Sequence, residues 1–201
     1  MKPEETAARY DRIARFWQQQ LWHSSYGLAA LERAIPFTRS KTAALDVGCG
    51  SSGRFIEVLI RHGFTPTGVD IAPEMIALAR QRHPQVHFVI ADICQWQLPQ
   101  QYDLIIAWDS IFHLPLAGHK PVLQKLCKGL NAGGVLLFTC GGSGPEEITG
   151  EFAGEIFAYS SLGVNSYVRL LDEFDCLCRH VEYDQYPQNH VFLIAQRAAS
   201  S

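Results

Sequence analysis

The chain has 201 residues, 47% of them hydrophobic and 18% charged, with a formal net charge of −3. That length suffices for one domain with a substantial core, and residues 1–201 read as a single domain without an internal boundary. The acidic balance, with no block of Lys or Arg, argues against a nucleic-acid or anionic-membrane partner, because either needs a basic face. No apolar run approaches the roughly 20 residues of a membrane span. Met1-Lys2-Pro3-Glu4-Glu5 lacks the apolar stretch of a signal peptide, so a cytoplasmic protein is expected. The six cysteines stand at 49, 94, 127, 140, 176 and 178 without a Cys-x-x-Cys pair. They read as reduced, mostly buried thiols. Cys176-x-Cys178 fits strand alternation and lacks zinc spacing, so no metal is expected.

The N-terminal segment is predicted helical, with Tyr10, Ile13, Ala14, Trp17 and Leu21 on one face. A short helix follows from about Gly27 to Ile35, and together residues 1–40 form a helical cap. A regular alternation then begins. Strands are predicted over 42–47, 65–70, 86–91, 102–108 and 135–139. Helices are predicted over about 52–62, from Pro73 to about Arg82, and near 118–130. Asn131-Ala132-Gly133-Gly134 is read as the turn before the fifth strand. This spacing implies βαβ units, a parallel sheet covered on both faces, and right-handed crossovers. Residues 141–154 interleave five glycines with Pro145 and three glutamates. They read as a mobile loop, and 141–162 as a lid segment. A helix carrying Tyr167, Leu170, Leu171 and Phe174 closes the chain, with a strand pair over 176–183 and 190–196. The short link between those strands fits a hairpin, hence antiparallel pairing.

The chemistry concentrates at the end of the first strand. Leu45-Asp46-Val47-Gly48-Cys49-Gly50-Ser51-Ser52-Gly53-Arg54 runs from a buried strand through a glycine turn into a helix. Such a turn brings the backbone close to a ligand and aims free N–H groups at it. Gly48-x-Gly50-x-x-Gly53 matches the dinucleotide-binding fingerprint, and Asp70 follows at the end of the second strand, placed to accept from ribose hydroxyls. Two further carboxylates change the expectation. Asp46 precedes the turn and would repel a pyrophosphate, whereas it would favour an ammonium or sulfonium. Asp92, closing the third strand, is placed to accept from an adenine amino group.

Leu45-Asp46-Val47-Gly48-Cys49-Gly50, Gly68-Val69-Asp70-Ile71, Ala91-Asp92-Ile93, Tyr102-Asp103-Leu104-Ile105-Ile106-Ala107-Trp108 and Leu130-Asn131-Ala132-Gly133-Gly134 resemble the ordered motifs of class I S-adenosylmethionine-dependent methyltransferases. The resemblance covers about 42–139 and extends through the closing helix and strands to roughly 196. It implies a Rossmann-like α/β doubly wound sheet of about seven strands, mostly parallel, with one antiparallel strand near the C-terminus. It implies S-adenosylmethionine as cofactor and S-adenosylhomocysteine as product. Carried over by position, Asp46, Gly48 and Gly50 border the methionine moiety and Asp70 holds the ribose. Ile71 and Met75 flank adenine, Asp92 and Ile93 meet its edge, and Trp108 sits beneath the cofactor near the methyl. Two departures stand out. Many relatives have glycine where Ser52 stands, and Ala72 replaces a Ser that commonly caps the following helix, a loss of about 1 kcal/mol.

The acceptor side is less legible. Trp108-Asp109-Ser110-Ile111-Phe112-His113 lacks the Asn/Asp-Pro-Pro-aromatic motif of enzymes that methylate base amino groups, and is more similar to the small-molecule branch. His113 is the candidate general base, and Asp109 a candidate to orient the acceptor. A packing role stands beside each. Tyr10, Trp17, Trp22 and His23 are candidates to roof the site, and Tyr159 to line the acceptor pocket. The expected function is in-line methyl transfer to a small molecule. A nicotinamide-dependent reductase and a catalytically silent S-adenosylmethionine-binding regulator remain alternatives. The acceptor and the oligomeric state stay open.

Overall fold

The computed structural model describes residues 1–51 and 53–199. Ser52, one of the two departures above, lies outside the described residues. Helices α1 (Pro3–Leu21) and α2 (Leu28–Ala34) precede strand β1 (Ala43–Val47). Then come α3 (Arg54–Arg61), β2 (Thr65–Asp70), α4 (Pro73–Arg82), β3 (His87–Ile90), β4 (Tyr102–Ala107), α5 (Leu116–Lys128) and β5 (Leu130–Cys140). The chain ends with β6 (Glu146–Phe152), β7 (Glu155–Ser161), α6 (Val164–Glu173), β8 (Cys176–Glu182) and β9 (Val191–Arg197).

Seven strands form one sheet in the order β3-β2-β1-β4-β5-β9-β8. β9 runs antiparallel to both β5 and β8, while the pairings β1–β2, β1–β4, β2–β3 and β4–β5 are parallel. This is the expected doubly wound arrangement. Its direction of winding reverses at β1, which pairs with β2 on one side and β4 on the other. A crevice opens there at the carboxyl ends of the strands.

Alternation along the strands divides the core. Leu45, Val47, Ile105, Leu136 and Phe138 pack with α5 and α6 residues such as Leu123, Leu126, Tyr167 and Leu171. Ala44, Leu104, Ile106, Val135 and Leu137 pack with Leu31, Phe55 and Leu59 of α2 and α3. Asp46 falls in the second register, on the α3 side. At the opposite end of the sheet, Asp103 Oδ2 accepts the Thr42 and Ala43 amides at 2.8 and 3.1 Å, and Oδ1 accepts Asn131 Nδ2 at 2.8 Å. That carboxylate fixes where β1 and β4 begin and takes no part in the crevice.

Three expectations change. The Asn131–Gly134 turn lies within β5, with Gly133 at φ +77° and the β4–β5 register shifting between Tyr102 and Leu104. Residues 146–161 form an antiparallel hairpin rather than an irregular loop. Their glycines and glutamates conceal Ile148, Phe152, Ile156, Phe157 and Tyr159, which suit strands. Ala153 and Gly154 both take positive φ, the geometry of a tight two-residue hairpin turn. Finally, α4 is capped despite Ala72: Asp11 Oδ1 on α1 accepts the Glu74 amide at 2.9 Å. The cap arrives through tertiary contact. Replacing Asp11 with Ala should therefore lower stability by about 1 kcal/mol in urea titration. An unchanged midpoint would show that the contact carries no cap energy.

Candidate active site

The crevice is a cleft of about 1050 Å³, part of it open to solvent, bordered by the loops after β1, β2, β3 and β4 and by α1. Its floor is a backbone turn. Val69 carbonyl accepts the Gly48 and Cys49 amides at 2.8 and 3.1 Å, and Asp70 Oδ2 accepts the Gly50 amide at 2.9 Å. Asp70 Oδ1 accepts the Ala72 amide at 2.9 Å. Burial raises the Asp70 pKa against these bonds. Gly48 and Gly50 take φ of +70° and +58°. A Cβ on Gly48 would stand 2.3 Å from Ser110 Cβ, and one on Gly50 would stand 3.3 Å from Trp17 Nε1. Both positions favour glycine for conformation, and Gly48 requires it for space as well.

Asp46 is 2% exposed. Burial raises its pKa to about 7; Arg54 on α3 opposes the shift and Asp70 adds to it. Trp108, 4% exposed, is packed edge-on against Tyr26 and Phe55.

The roof comes from α1 and the β6–β7 hairpin. Tyr10 and Trp17 stand on one face of α1, 5.9 Å apart between ring centroids. Tyr10 meets Phe157 at 4.6 Å and Trp17 meets Phe152 at 5.3 Å. Arg12 Nε and Nη2 donate to the two Glu155 oxygens at 2.6 and 2.7 Å, joining helix to hairpin. Beneath the roof, His113 Nδ1–H donates to the Ala158 carbonyl at 2.8 Å. Burial holds the imidazole pKa down at about 4, so the ring is neutral and Nε2 accepts the Tyr10 hydroxyl at 2.7 Å. Both ring nitrogens are thus engaged, and His113 fixes Tyr10 against the cleft.

Residues 44–134 match a family described as a methyltransferase domain. A trans-aconitate 2-methyltransferase from Rhizobium rhizogenes is 34% identical over 103 residues, covering 51% of this chain and 39% of that protein. One from Escherichia coli O157:H7 is 32% identical over 163 residues, covering 74% and 63%. The solved Burkholderia thailandensis 1,6-didemethyltoxoflavin-N1-methyltransferase, with bound 1,6-didemethyltoxoflavin and S-adenosylhomocysteine, shares the fold at TM-score 0.70 and 17% identity, covering 98% of this chain and 91% of that one. Over residues 44–134 the chain is similar to that methyltransferase-domain family, and it shares its fold with S-adenosylmethionine-dependent methyltransferases of known structure. It matches about two-fifths of the length of the first curated relatives.

The cleft gathers Asp46, Gly48, Gly50, Asp70, Ile71, Met75, Asp92, Ile93 and Trp108, together with Tyr10, Trp17, Asp109 and His113. Trp22 and His23 are not brought there. They are exposed beyond the end of α1, and the Trp22 ring stacks under the Arg82 guanidinium at 4.3 Å. The helix face turns away from the cleft after Trp17. Tyr159 lines a neighbouring cavity instead.

Sequence reasoning missed Arg54, Tyr26 and His190. Arg54 Nε donates to the Tyr26 carbonyl at 2.9 Å. His190 stands between two carboxylates, with Nε2 3.0 Å from Asp109 Oδ1 and Nδ1 2.6 Å from Asp184 Oδ1, and its pKa is raised by both. Because β9 is antiparallel, its amino end lies at the carboxyl edge of β5. The hairpin reading of 176–196 contained that signal for His190.

A pH signature follows from Asp46. Its folded pKa of about 7 exceeds the ordinary 3.8. The unfolded chain therefore ionises first, and the stability this carboxyl contributes is full below about pH 4, declines as pH rises toward 7, and is flat above. In urea denaturation of the ligand-free protein, wild type should lose stability relative to Asp46→Asn across that window. A parallel pair of curves would contradict the assignment.

Proposed function

We propose that this chain transfers a methyl group from S-adenosylmethionine to a small-molecule acceptor. The observation that carries the reading is the meeting of Asp46, Asp70 and Asp92 around one glycine turn beneath the Tyr10–Trp17 roof. The fit to this cofactor is chemical. Asp70 and Asp92 offer acceptors for hydroxyl and amino donors, and the buried Asp46 suits an ammonium rather than a pyrophosphate. That last point disfavours the nicotinamide alternative.

When bound, S-adenosylmethionine would supply an electrophilic methyl on a sulfonium, open to displacement by the acceptor's lone pair. The protein's own residues then have three tasks. Gly48, Gly50 and Asp70 position one reactant. The α1–hairpin roof excludes water, and Tyr10, held by His113, together with Asp109 confines the other reactant in line. His113 stays neutral above about pH 5 and keeps Tyr10 oriented as a hydroxyl; burial and the neighbouring Tyr159, Asp70 and Asp109 raise the pKa of that phenol well above its ordinary value.

Calorimetry should register binding of S-adenosylmethionine and S-adenosylhomocysteine; silence at millimolar ligand would sink the reading. Asp70→Ala should weaken both ligands roughly 10- to 100-fold, as expected for hydrogen bonds to a charged group. Asp109→Ala should change them far less, and equal losses would move the ribose site elsewhere. Formation of S-adenosylhomocysteine on incubation with cell extract separates an enzyme from a silent binder.

A further inference from the structure

A second cavity lies beside the cleft, lined by Phe112, Cys140, Glu146, Ile148, Tyr159 and His190 among others. It is one side chain away from the first. Tyr159 and Phe112 each pack against His113, at 5.0 and 4.8 Å between ring centroids. His190 lines the second cavity and Asp109 lines the cleft, and these two side chains touch at 3.0 Å.

The walls specify the occupant. Phe112 and Tyr159, 5.5 Å apart, offer two aromatic surfaces, and Ile148 and Cys140 extend the apolar lining. The lining carries one carboxylate and one imidazole. Glu146 borders the space, with Oε1 accepting Asn189 Nδ2 at 2.6 Å. His190, the basic residue in this lining, directs both ring nitrogens at Asp109 and Asp184 and so away from any ligand anion. Except for Phe112, the lining residues named here lie outside residues 44–134, the segment matched by the methyltransferase-domain family. Trans-aconitate bears three carboxylates, which in this cavity would face Glu146, while its basic residue, His190, is already held by Asp109 and Asp184.

We propose that the body of the methyl acceptor occupies this second cavity between Phe112 and Tyr159, and that the acceptor is a ring-bearing amine or hydroxyl compound carrying no carboxylate. The proposal rests on the methyl-transfer reading and adds the substrate class. N–H and O–H donors find carboxylate acceptors at Glu146 and Asp109, and a cationic group gains from the two aromatic faces.

The test uses a matched pair of probes that differ in the sign of one charge, tyramine and 4-hydroxyphenylacetate, with trans-aconitate as third ligand. Each is titrated by NMR into the full chain loaded with S-adenosylhomocysteine, whose own binding is measured in the same sample. Tyramine should bind at least about tenfold more tightly than 4-hydroxyphenylacetate, as expected when an opposite charge replaces a like one near a carboxylate. Trans-aconitate should not displace it. Ile148→Trp, which fills the cavity from the exposed hairpin, should abolish tyramine binding and leave S-adenosylhomocysteine affinity unchanged. Absence of tyramine binding, equal or reversed preference, displacement by trans-aconitate, or tyramine binding insensitive to Ile148→Trp each overturns the proposal while the methyl-transfer reading stands. Failure of S-adenosylhomocysteine to bind removes both.

Discussion

The Asp70 carboxylate is the joint on which the site is built. One oxygen holds the Gly50 amide and the other the Ala72 amide, so a single side chain ties the loop after β1 to the loop after β2. Backbone amides left over at a loop must find partners, and here one carboxylate serves both loops. The consequence is a glycine turn held open toward the crevice and a fixed start for α4. Sheet topology brings β1, β2 and β4 together at this edge, and the joint converts that adjacency into a shaped cleft. Asp46, one strand residue deeper, is buried beneath the same turn and takes its raised pKa from that burial.

The roof depends on a different kind of order. A hairpin outside the main sheet is held from below by a chain of buried hydrogen bonds. Ser160 donates to the Leu114 carbonyl, His119 Nε2–H donates to Ser160 Oγ at 2.8 Å, and Tyr167 donates to His119 Nδ1 at 2.8 Å. The His119 pKa is depressed to about 4 by burial, which keeps the ring neutral and this direction of donation intact. The hairpin base is thereby joined to α5 and α6, and its outer end is clasped to α1 through Arg12 and Glu155. Tyr10 and Trp17 are functional candidates only because this support brings α1 over the cleft.

The two halves of the site differ in how they were legible. Motif residues sit at strand ends, where the period of the βαβ unit fixes position, so Asp46, Gly48, Gly50, Asp70 and Asp92 could be placed on one edge from spacing alone. The acceptor half is assembled from α1, the loop after β4, the β6–β7 hairpin and the link before β9, segments far apart in the chain. Local patterning cannot join such segments. It misread the glycine-rich hairpin as a loop because composition outweighed alternation there. It also let the aromatic face of α1 run on to Trp22 and His23, where the helix has already left the cleft.

The amino-acid sequence by itself determined the alternating βαβ sheet, the antiparallel pairing of the closing strands and the carboxylates around the glycine turn, because strand period, turn chemistry and motif spacing are local. Only the tertiary structure decided that Asp11 caps α4, that His113 is spent on Ala158 and Tyr10, that His190 stands between Asp109 and Asp184, and that a second cavity adjoins the first. Each of these is a contact between residues far apart in the chain. Their protonation and orientation follow from burial and from which partner occupies the second ring nitrogen or carboxylate oxygen, and packing alone sets both.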